Sequence, residues 1–137
     1  MKKLLPLLLL CASPAFAQTS PPASNLDGDW HGRSDNGSCG APLDYQISID
    51  TGIVDGSAYD TSAHGPVPNL KKSAPPAPTP GLWMINGVVK GNSFSLMAIA
   101  SVRSEDRRSS KFSVAVQGAS LVVTEQGSCG RRATLTR

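Results

Sequence analysis

Short runs of alternating apolar and polar residues, broken by Gly, Asn, Asp and Ser, make up most of the chain beyond residue 25. A period of two puts successive side chains on opposite faces of a strand. Eight runs read this way: 26–33, 43–50, 53–59, 82–89, 93–103, 110–117, 119–126 and 129–136. No stretch sustains a 3.6-residue apolar period over three turns, so the predicted class is all-β. Short connections at "DTG" (50–52), "KGN" (90–92) and "QGA" (117–119) favour antiparallel neighbours. The expected architecture is a small antiparallel up-and-down β-barrel of about eight strands, with a β-sandwich as the alternative. Asn86-Gly87 is a further turn signal that would split the fourth strand.

The faces of individual runs follow from the same alternation. In the first, Leu26, Gly28, Trp30 and Gly32 share a face opposite Asp27, Asp29, His31 and Arg33, which turns Trp30 inward. In the last, Arg131, Ala133, Leu135 and Arg137 share one. Among the central runs, Phe94, Leu96, Ala98, Ala100 and Val102 lie together, as do Phe112, Val114 and Val116. The opposite faces carry Met97, Ile99 and Ala115, an apolar set that fits partner contact, a covering loop, a sandwich layer or incidental surface positions. "GIVDGSAY" (52–59) and "GVVKGNSF" (87–94) echo one another as a shared hairpin design.

Residues 60–81 break the pattern with six prolines and little apolar bulk. Proline lacks the amide donor of a central strand, so this stretch reads as a long exposed loop. A stiff loop explains it without a partner, although Pro75 to Pro80 also has the form of a P-x-x-P recognition segment.

Two lysines, a leucine-rich run and Ala15-Phe16-Ala17 before Gln18 have the layout of a secretory signal peptide spanning 1–17. The apolar run is too short to span a bilayer, and Leu10 is bulky where a lipoprotein signal needs a small residue before Cys11. The expected domain organisation is this leader, a flexible lead-in at 18–25, and one barrel domain at 26–137. Cleavage removes two lysines and lowers the formal net charge from +3 to +1, so the basic pI carries no nucleic-acid reading. Residues 18–60 nevertheless hold seven aspartates against Arg33, while 61–137 hold ten basic groups against three acidic. That asymmetry is expected to support attraction between early and late strands, with an electrostatic docking face as the alternative.

Cleavage also leaves two cysteines, Cys39 and Cys129, each inside a "GSCG". In an oxidising compartment the default is one disulfide between them. Their wide separation is unlike the C-x-x-C of a thiol–disulfide catalyst.

Gly28-Asp29-Trp30 on a first strand, with arginines on the closing strand, resembles the G-x-W and terminal-arginine arrangement of small antiparallel barrels of the lipocalin and avidin superfamily. The size and disulfide are similar to those of bacterial periplasmic metalloprotease inhibitors built as eight-stranded barrels. The resemblance implies that Trp30 closes one barrel end beside Gly28 and that Arg131 packs over its ring.

Candidate chemistry is sparse. His31 and His64 lack metal-site spacing, and a polar strand face accounts for Asp29 and His31. Asp50, Asp55 and Asp106 read as turn formers. There is no G-x-S-x-G, and both remaining cysteines are committed to the expected disulfide. Arg103, Arg107, Arg108 and Lys111 form the strongest charged cluster, offset by Glu105 and Asp106 and without interleaved aromatics for nucleic-acid stacking. The expectation is therefore a non-enzymatic, cofactor-free binding protein, secreted to a bacterial periplasm and acting on a protein partner in the envelope or outside the cell. An inhibitor of another secreted protein fits this class. Trp83, Met84, Arg103, Arg107 and Arg108 are the candidate partner surface. The alternative is a carrier of a small apolar ligand, against which six aromatics outside the leader argue mildly.

Overall fold

Every strand pairs with the next one along the chain, and the ring is completed where the last strand meets the first. A computed structural model describes residues 25–62, 79–102 and 109–137. The strands are β1 (Gly28–Arg33), β2 (Leu43–Asp50), β3 (Ile53–Asp60), β4 (Leu82–Val88), β5 (Ser93–Ala100), β6 (Ser109–Gln117), β7 (Ser120–Gln126) and β8 (Arg132–Leu135). All pairings are antiparallel, giving an eight-stranded up-and-down barrel. β4 runs unbroken through Asn86-Gly87, which therefore form no turn; both residues pair across to β3 and β5. Among the described residues a single 3-10 turn, Gly37–Cys39, interrupts the all-β pattern.

Alternation sets the interior. Along β2, Leu43, Tyr45, Ile47 and Ile49 point in and are buried, while Asp50 and Ser48 between and beyond them face out. Their inward neighbours include Trp30, Ile85, Phe112, Leu121 and Leu135, and these side chains meet in one buried cluster. An eight-stranded barrel is just wide enough for side chains to fill. The seam between β1 and β8 is held by reciprocal amide bonds between His31 and Thr136, at 2.9 and 3.0 Å. Gly32 permits that approach, since a β-carbon there would lie 2.6 Å from the Thr134 carbonyl oxygen.

The two ends of the barrel differ. Connections β2–β3, β4–β5 and β6–β7 are short and emerge together, forming the turn end. At Thr51-Gly52 both residues have positive φ, the backbone that a two-residue hairpin matched to strand twist requires. The strand ends joined by the other four connections, 34–42, 61–81, 101–108 and 127–131, lie at the opposite, loop end. The expected leader, most of the expected lead-in and most of the proline-rich stretch lie outside the described residues, as do Arg103, Arg107, Arg108 and His64.

Candidate functional site

At the loop end, Cys39 and Cys129 are joined in a disulfide with Cα atoms 5.1 Å apart. It ties the β1–β2 connection to the β7–β8 connection, the junction expected from the paired "GSCG" segments. The Ser38 amide donates to the Cys129 carbonyl at 2.9 Å, and its hydroxyl donates to the Ser128 carbonyl at 2.5 Å. Asp35 fixes the approach from below. Its Oδ1 accepts from the amides of Gly37 and Arg132 at 3.2 and 3.0 Å.

Beneath this staple the Arg131 guanidinium reaches into the barrel mouth. Nε and Nη2 donate to the Glu125 carboxylate at 2.9 and 3.3 Å, and Nη1 donates to Asp60 Oδ2 at 3.1 Å and the Ala41 carbonyl at 3.3 Å. One cation thus holds the ends of β3 and β7 and the β1–β2 connection in register. Bidentate, charge-assisted bonding gives such a contact its directionality. Desolvation opposes the charge on Arg131, but bonding to Glu125 and Asp60 outweighs it and keeps the guanidinium above its ordinary range. Asp60 is held below the usual carboxylate value. Burial pushes it up, but the Ser62 hydroxyl and amide, at 2.6 and 2.9 Å, together with Arg131, pull it further down. Tyr45 sits in the same interior with its ring edge-on to Phe112, centroids 6.0 Å apart. Burial, and then the Glu125 charge, hold its phenol above the ordinary value and therefore neutral.

At the turn end, Trp30 is buried and its indole N–H donates to the Leu26 carbonyl at 2.8 Å. The guanidinium over its ring belongs to Arg137, 4.6 Å from the ring centroid, and not to Arg131. Gly28, beside Trp30 on β1, faces the Arg137 side chain. The alternation that grouped Arg131 with Arg137 was informative, because both turn inward from the two ends of β8. Their spacing alone did not say which one Trp30 would meet. Glu125 carried a comparable signal: it shares a face with Leu121 and Val123, so an inward carboxylate required a cation.

The candidate partner residues separate. Trp83 is half-buried on the inner face of β4, packed against the core. Met84 is half-buried on the outer face, opposite Ile99 of β5. His31 and Asp29 lie on the outer face of β1, and no group of three or more metal-binding side chains occurs among the described residues. Among the described residues, the loop end exposes the run from Asp35 to Gly40 and the adjacent Gln126 to Ser128, which the disulfide tethers. Among the described residues no helix is long and apolar enough to cross a membrane. No family model, curated protein or solved structure matches this chain.

Proposed function

We propose that this chain is an exported, non-enzymatic binding protein that engages another protein through the loop end of its barrel, as an inhibitor would. The observation that carries this reading is the concentration of ordering devices at that end. A disulfide, the Asp35 latch and the Arg131 anchor fix the exposed 34–42 and 127–131 connections, whose regular structure is one 3-10 turn. Loops positioned by a rigid scaffold bind with less conformational entropy to lose. The disulfide supports an oxidising destination and agrees with the leader-like first 17 residues. A contiguous buried cluster inside the barrel favours this reading over a small-ligand carrier.

Capture of interacting proteins from the envelope and the medium, using the full chain as bait, tests the proposal. A specific partner should be retained by the parent protein and lost when Ser38 and Ser128 are both replaced by arginine. Retention of the same partner by that variant would move recognition away from the loop end.

A further inference from the structure

Among the described residues, the large apolar side chains most open to solvent lie together on the outer face of β3, β4 and β5: Ile53, Val88, Met97 and Ile99, at 62%, 54%, 44% and 49% exposure. Strand register places Ile53 opposite Val88, and Met84 opposite Ile99. Such clustering on one side of a small protein marks an interaction surface more strongly than isolated apolar residues do.

Charge on either side of this face indicates its occupant. One cross-strand row runs from Asp55 on β3 through Asn86 and Met97 to Lys111 on β6. Asp55 and Lys111 thus bracket the apolar strip, and neither enters an ion pair among the described residues. The wider barrel follows the same sense. An up-and-down ring keeps β1 to β3, with Asp29, Asp44, Asp50 and Asp55, on one side of β4 and β5, and β6 to β8, with Lys111 and Arg132, on the other. A surface that is acidic at one margin, basic at the other and mainly apolar between, with Asn86 its polar member in this row, is complementary to its own copy turned about a two-fold axis.

We propose that this face joins two copies of the chain about a two-fold axis parallel to β4 and β5, with Asp55 of each copy facing Lys111 of the partner subunit. An axis across the strands would instead set Asp55 against Asp55 and Lys111 against Lys111, so the charges select between the two arrangements. The parallel axis also points both loop ends the same way. On the binding function proposed above, the pair presents two recognition surfaces side by side, with the second engagement made effectively intramolecular.

Sedimentation equilibrium of protein purified after expression of the full chain tests this directly. The parent protein should form a concentration-dependent dimer. Asp55→Lys and Lys111→Asp should each weaken self-association by about tenfold or more, because each puts like charges opposite one another twice. Mixing the two variants should restore a dimer, since both facing pairs then become opposite in sign, and this recovery also shows that both variants fold. A monomer at every concentration overturns the proposal and assigns the face to a different protein. A dimer insensitive to both reversals, or no recovery on mixing two variants with parent-like circular dichroism, overturns it as well. Loss of partner capture with the dimer intact would count only against the binding reading.

Discussion

Arg131 and Glu125 face one another inside the barrel mouth, Nε to Oε2 at 2.9 Å, with side chains only 4% and 7% exposed. Neither charge has bulk water to fall back on. Removing one partner of a buried pair leaves the other uncompensated, and Glu125→Ala is expected to cost about 3 to 5 kcal/mol of unfolding free energy. Urea denaturation measures it. Replacing both residues with apolar ones of similar volume, as in Arg131→Met with Glu125→Leu, should cost less than the single change.

Acid should loosen the same end through Asp60. Its folded-state carboxyl titrates below its ordinary value, so its stabilising contribution is complete above the unfolded-chain value of about 3.9 and disappears as pH falls through the lower, folded one. Urea midpoints followed from neutral pH into that acid range should fall. Asp60→Asn should lower the neutral midpoint and flatten the acid limb.

At the turn end, Trp30 and Arg137 should divide unequally. Trp30→Ala empties a fully buried site and is expected to cost about 3 to 5 kcal/mol. Arg137→Ala removes a solvent-exposed cation from the ring face and should cost about 0.5 to 1 kcal/mol. A thermal-denaturation cycle combining Arg137→Ala with Trp30→Phe isolates the stacking contribution.

Eliminating the disulfide should destabilise without abolishing a specific reaction. With a sequence separation of 90 between Cys39 and Cys129, Cys39→Ala is expected to cost about 2 to 5 kcal/mol. Denaturation with and without reductant measures the loss, and thiol labelling of the native parent protein should find both cysteines blocked. Free thiols there would reopen a thiol function for them.

The strand order and the staple were legible because both depend on local or arithmetical signals. Alternation from Leu43 to Asp50 and short turns such as Thr51-Gly52 specify each hairpin nearly on their own. With Cys11 assigned to the expected leader, Cys39 and Cys129 admit one pairing. Contacts across the barrel are of another kind. Whether Arg131 or Arg137 lies over Trp30, and that Asp60 joins Arg131 from 71 positions away, depends on which barrel end each side chain reaches. At Asn86-Gly87 the unbroken strand expected over 82–89 holds and the alternative turn does not form, because pairing to strands on both sides overrides the local turn preference. Charge was legible in part, since the expected attraction between early and late segments is realised in the Asp60–Arg131 ion pair.

Seven of the eight interstrand junctions link sequence neighbours, while the seam between β1 and β8 joins segments about a hundred residues apart. Hairpins of the first kind close quickly, whereas a contact of the second kind must overcome a far larger loop-closure entropy. Ring closure is therefore expected to be the late event in folding. Because Cys39 and Cys129 lie across that seam, their oxidation times it: the sulfur atoms become partners only once the first and last strands have met.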